Sequence, residues 1–162
     1  MRKLTKWQRM SLILSLLIIV FIFVNSSLPA EESAETSGGL LGFINGVFVF
    51  LGIDFELSHS VLRKIAHFVE FFAVGGVFLW TTATFTKRIK THIVKPMFAA
   101  LLVAVIDETI QLFPPGRSSQ VSDVVLDFAG ALCAIMLTWL IASKVNKKRS
   151  QSAPTPDREV LP

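Results

Sequence analysis

Cysteine is nearly absent from this sequence. The one cysteine of the chain, Cys133, sits inside an apolar run. It excludes an internal disulfide and a Cys-x-x-Cys metal or redox motif, and it reads as helix packing. Charge is scarce too. Only 17% of the 162 residues are charged, against about a quarter in soluble domains. Lysine and arginine are missing altogether from residues 31–61, and no internal repeat is present.

What is there is apolar: 52% of the residues are hydrophobic, and they are blocked into long runs, which is the signature of membrane spans. A soluble domain of this size would leave too much of that surface in water. The net charge of +4 does not indicate nucleic acid, because the basic residues flank the apolar runs as topology signals do. The partner implied is a lipid bilayer.

Residues 10–24 are almost wholly apolar and follow Arg2, Lys3, Lys6 and Arg9. Such a pattern fits a first transmembrane helix or a signal peptide. The approach to Ala30, through Leu28 and Pro29, is a poor cleavage pattern, which favours a retained helix. Further helices are expected over about 62–86, 96–113 and 121–143. Residues 40–53 are apolar, but a helix of that length would rise only about 21 Å, short of a ~30 Å hydrocarbon core. With Gly42, Gly46 and Gly52 in it, this segment is expected to be interfacial or re-entrant.

The fold expected is therefore all-α: a polytopic membrane protein of four transmembrane helices plus that short segment. Residues 1–9 would form a basic cytoplasmic N-terminus, 10–145 the membrane domain, and 146–162 a disordered cytoplasmic tail. Basic residues cluster before the first run, over 87–95 (Lys87, Arg88, Lys90, Lys95) and after the last run (Lys144, Lys147, Lys148, Arg149). The positive-inside rule then places both termini in the cytoplasm of a multi-pass cell-membrane protein.

Ionisable residues within a span are costly and mark functional sites. Arg63, His67 and Glu70 fall at i, i+4 and i+7 on one helical face, with Lys64 beside them. Asp107 and Gln111 are four apart, Glu108 and Gln111 three apart, and Asp123 and Asp127 four apart. With the expected topology these stripes share one depth at the outer face, and Arg117 of the Pro114-Pro115-Gly116 turn caps the same side. Three positive charges face five negative ones. The excess calls for a bound cation or for protons, both starting points for acid–base chemistry. The same groups could instead fix helix packing: Asp123 suits a helix N-terminus, and Arg63 and Lys64 could snorkel.

Three segments carry a resemblance: Asn25-Ser26-Ser27-Leu28-Pro29, Arg63 to Phe71 (RKIAHFVEF), and Asp107 to Gly130 (DETIQLFPPGRSSQVSDVVLDFAG). In these the chain resembles the VanZ-like family of bacterial integral membrane proteins. The family takes its name from a protein associated with teicoplanin resistance, so the resemblance implies a role in the bacterial cell envelope. It carries over Lys64, His67, Glu70, Asp107, Glu108, Gln111, Gly116, Arg117, Asp123 and Asp127. Some relatives carry histidine where this chain has Ile110, which speaks against a two-histidine metal site.

Two functions compete. In the first, the site binds or processes an envelope lipid or wall precursor. His67, Glu70, Asp107 and Glu108 would be the catalytic candidates, and Arg63, Lys64, Gln111, Arg117, Asp123 and Asp127 the substrate-binding ones. A divalent cation on Asp107, Glu108, Asp123 and Asp127 is permitted by the spacing, but no specific metal motif identifies one, and the cofactor is left unknown. In the second, the protein is non-catalytic and binds a partner or lipid. Ion-coupled transport is a weaker third, because four helices without an inverted repeat would have to oligomerise.

Overall fold

The computed structural model describes residues 3–151, with side chains described as far as Ile141. Six helices follow in order: α1 (Lys6–Ser26), α2 (Ala30–Phe50), α3 (His59–Phe85), α4 (Ile89–His92), α5 (Val94–Ile110) and α6 (Val121–Gln151). No strand occurs among the described residues, so the all-α expectation holds. The tail expected over 146–162 falls mostly outside the described residues, α6 itself running on to Gln151.

Helix α1 opens on a capping box between Thr5 and Gln8, which satisfies two backbone donors that the first turn leaves over. Beyond it the helix is apolar nearly all round, with Ile13, Leu16 and Leu17 more than half exposed. Water does not tolerate so large a contiguous apolar surface; lipid does. Among the described residues, three segments are long and apolar enough to cross a bilayer: Lys6–Ser26, His59–Phe85 and Val121–Ile141. Helix α5 has 17 residues, a rise of about 26 Å, and presents Phe98, Leu102 and Val105 outward.

Helix α3 packs against every other helix. The core around it is Ile22, Phe71, Val74, Phe78, Ala100, Val103, Ala104 and Ala131. In lipid this apolar packing has no hydrophobic drive, so association depends on close fit and on hydrogen bonds between helices. Both are present. A Cβ on Gly75 would run into the Ala131 backbone, and one on Gly130 into the Phe68 carbonyl, so α3 and α6 meet backbone to backbone. At the far end α1 and α3 share a ladder of polar side chains. The Gln8 amide donates to the Thr84 carbonyl at 3.0 Å, Ser11 and Thr84 hydroxyls lie 3.3 Å apart, and Ser15 and Thr81 hydroxyls 3.0 Å apart.

Residues 30–50 depart from expectation. The loop with a short apolar segment over 40–53 is instead one helix, α2, whose second half is that segment. Pro29 precedes it, and Glu31 and Glu32 occupy its first turn, where negative charge favours a helix N-terminus. Gly42 and Gly46 do not break it. Gly52, at φ 70°, closes it, as a left-handed residue commonly does just past a helix. The Asn45 side chain then holds the return, exchanging two hydrogen bonds with the Leu57 backbone at 2.8 and 3.1 Å.

The third long helix also ends early, at Ile110 rather than 113. Pro114 disfavours helical conformation at the residue before it, and the Gln111 side chain folds back onto Asp107. The turn that follows needs its glycine. Gly116 has φ 75°, and a Cβ there would lie 3.1 Å from the Ala30 methyl, while the Ala30 amide donates to the Pro115 carbonyl at 3.1 Å. This turn thereby fastens the start of α2.

Candidate functional site

The end of α1, the start of α3, the end of α5 and the start of α6 converge at one end of the bundle, opposite the Gln8–Thr84 contact. Every candidate site residue lies there, but they do not form a single cluster; Cys133, expected to pack between helices, is instead exposed on α6. Two clefts share Arg63 and His67. The smaller, about 10 Å³ and so roomy enough for about one water, is lined by Arg63, Lys64, His67, Glu108, Gln111, Asp123 and Asp127. The larger, about 210 Å³, adds Glu70 and Arg117 to Asn25, Leu28, Leu40, Leu62 and the side chains of Ser33, Thr36 and Ser37. Helix α2 supplies one wall of the larger cleft.

The acidic groups are deeply placed. Asp107, Glu108, Gln111 and Asp127 are all buried. His67 Nδ1 stands 3.7 Å from Asp107 Oδ2 and 3.8 Å from Asp127 Oδ2, so three helices meet at one imidazole. The close approach of Gly130 to Phe68 sets this geometry, since each lies within a turn of Asp127 and His67. Gln111 Nε2 donates to Asp107 Oδ2 at 3.0 Å and to Ser26 Oγ at 3.3 Å. Glu108 accepts from the Gln120 amide. Even so, Asp107 Oδ1, Glu108 Oε2 and both carboxylate oxygens of Asp127 have no hydrogen-bond partner among the described residues. Among the described residues, His67, Asp107 and Asp127 are the groups placed to hold a metal ion, their donor atoms lying within 4.8 Å of one another.

The cations are partly committed. Lys64 Nζ donates to Asp123 Oδ1 at 2.7 Å, a pair that leaves the lysine side chain 42% exposed. Arg117 Nε donates to the Leu28 carbonyl at 2.7 Å and Nη2 to the Asn25 carbonyl at 2.8 Å. It therefore caps the C-terminal end of α1, where carbonyls lack partners and a cation meets the favourable end of the dipole. Burial and the like charge of Arg63 lower the Arg117 pKa, while Asp107, Glu70 and Glu108 raise it. The guanidinium stays charged. Arg117→Gln removes both bonds. Each hydrogen bond to a charged group contributes about 1.5–3 kcal/mol, so the variant is expected to melt several degrees below wild type in detergent. An unchanged melting temperature would show that the cap contributes nothing.

Sequence reasoning did not single out Ser26 or Gln120 as partners, or α2 as a wall. Ser26 sat within the quoted Asn25-to-Pro29 segment, and its burial is what marks it.

A family model described as VanZ/LLP1 matches residues 11–142. No curated protein matches the chain, and no solved structure does.

Proposed function

This chain belongs to the VanZ/LLP1 family, and from that premise we propose that it is a cell-envelope membrane protein whose paired clefts receive the phosphate-bearing headgroup of an envelope lipid or lipid-linked wall precursor. In this reading α5 is the fourth crossing, and the clefts open at the outer leaflet. Both termini are cytoplasmic, because Lys3, Lys6 and Arg9 and the residues Lys87, Arg88, Lys90 and Lys95 belong to the other end. Helix α2 lies along the outer face, with Phe43 and Phe50 against lipid.

The observation that carries this is the make-up of the larger cleft. Arg63, Arg117, His67 and Glu70 face it together with a row of α2 hydroxyls, and Leu28, Leu40 and Leu62 line it as well. The uncommitted Arg63 guanidinium suits phosphate oxygens, as does the Ser33 hydroxyl, while the Thr36 and Ser37 hydroxyls donate to α2 carbonyls; apolar walls suit the first carbons of an acyl or prenyl chain. His67 and Glu70 border the same space and are the groups for proton transfer. The link to teicoplanin sensitivity comes from the family resemblance.

Arg63 is the test. It lines both clefts, and no hydrogen bond or ion pair commits its side chain among the described residues. Lipids retained by the protein after purification from a Gram-positive host, read by native mass spectrometry, should include an anionic phosphate-bearing species. Arg63→Ala should reduce its occupancy about tenfold, the loss of one phosphate–arginine contact of about 1.4 kcal/mol. Equal retention by both proteins would count against the headgroup reading.

A second reading has its own support. The Arg117 bonds go to backbone carbonyls and Lys64 is paired with Asp123, so part of the cluster ties helices together. A non-catalytic protein that binds a partner or lipid needs no more than this.

A further inference from the structure

We propose that His67, Asp107 and Asp127 hold one divalent transition-metal ion, Zn²⁺ or Mn²⁺, between α3, α5 and α6. The assignment deepens the headgroup reading and rests on it for its purpose, since an ion at this point would face phosphate oxygens entering the cleft.

Three observations lead here. The first is distance. At 3.7 and 3.8 Å His67 Nδ1 is too far from either carboxylate for a good hydrogen bond. Two ligands each about 2.1 Å from a tetrahedral ion lie roughly 3.4 Å apart, so the two His67 distances are close to what one ion needs, and the two carboxylate oxygens, within 4.8 Å of one another, would draw together on binding it. The second is orphaned polarity. Asp127 is 1% exposed, neither of its carboxylate oxygens has a partner, and Asp107, at 0% exposed, has one oxygen unpartnered. Buried charge without a partner is costly, and buried charges are paired or coordinate metals. A neutral imidazole and two carboxylates carry two negative charges, which a divalent ion cancels. The third is support around the ligands. Gln111 fixes the Asp107 carboxylate by a 3.0 Å bond and is itself held to Ser26, as outer partners commonly orient metal ligands.

The donor set narrows the ion. One imidazole nitrogen with two carboxylates suits Zn²⁺ or Mn²⁺ better than Mg²⁺ or Ca²⁺, which prefer oxygen alone. The Glu108 carboxylate lines the same small cleft and has an unpartnered oxygen, so it is the group left to meet a bound water.

The test uses the full chain purified in detergent and dialysed against metal-free buffer. Elemental analysis should find close to one Zn²⁺ or Mn²⁺ per chain. Chelation should lower the melting temperature, and Zn²⁺ or Mn²⁺ should restore it where Mg²⁺ does not. Asp127→Asn should lose most of the bound metal, and Asp54→Asn, in the exposed stretch between α2 and α3, should keep it. Should Asp127→Asn fail to accumulate, His67→Gln reads the same loss. The proposal is overturned if wild type carries no metal and no ion shifts its melting, and equally if Asp127→Asn melts at or above wild type with chelator having no effect. Lipid retention, measured on the same preparation, keeps the two readings apart. Lipid without metal sinks this inference alone, and metal without lipid sinks the headgroup reading alone.

Discussion

Gly75→Leu is expected to reduce folded protein in the membrane more than tenfold, while Gly76→Leu leaves it near the wild-type amount. The two glycines are neighbours on α3 and alike in sequence. A Cβ at position 75 would strike the backbone of Ala131, and one at 76 meets nothing within 4 Å. A clash with a flexible side chain can be relieved by a rotamer change; a clash with helix backbone cannot. Inserting even one methyl into such a place costs about 1–3 kcal/mol, and an isobutyl group must push α6 away from α3. At position 76 leucine is the better helix former, by roughly 0.8 kcal/mol. Fluorescence-detected size exclusion of the tagged variants reads both amounts. Similar loss at both positions would mean that glycine is needed for its flexibility and not for close approach.

The second large effect concerns the imidazole. His67→Ala and Glu70→Gln, expressed beside wild type in a susceptible Gram-positive host lacking its own copies, should each abolish most of whatever teicoplanin protection wild type confers. Protein level should fall far less than protection does, although His67→Ala, having lost a metal ligand, should melt below wild type. His67 faces two buried carboxylates and both clefts, and Glu70 borders the larger one. His67 ties no helix by a hydrogen bond among the described residues, and Glu70→Gln keeps the side chain's shape and its capacity to bond Asn25 on α1, so neither change should unfold the bundle. Variants that protect as well as wild type, or that fail only because the protein disappears, would return the cluster to packing. If wild type itself gives no protection, the link to resistance is lost for this chain while the lipid and metal measurements stand.

Long apolar runs made α1, α3 and α6 legible, because a span announces itself by composition alone. Helix α2 was not. Its first half carries Glu31, Glu32 and Glu35 and its second half carries glycines, and neither fits an apolar or an amphipathic template. The site was legible as a set of residues, since charge inside a span is conspicuous. Its division was not. Whether Arg117 faces a phosphate or the carbonyls of Asn25 and Leu28 depends on backbone groups, which every residue has and no pattern displays. The ladder of Gln8, Ser11, Ser15, Thr81 and Thr84 escaped for the opposite reason. Single hydroxyls in apolar runs are common, and these gain meaning only when two helices bring them face to face.

That ladder bears on how the protein is made. Ser11 and Thr84 are 73 residues apart, and Ser15 and Thr81 are 66 apart. At a synthesis rate of about 5–20 residues per second, α1 waits roughly 3–15 s in the bilayer before its partner emerges. During that wait Ser11 can bond its own helix at the Gln8 carbonyl, but the Gln8 amide has nowhere to go except water at the membrane surface. The newly made first helix should therefore ride shallow, with its basic start anchored, and settle only once α3 arrives to receive it.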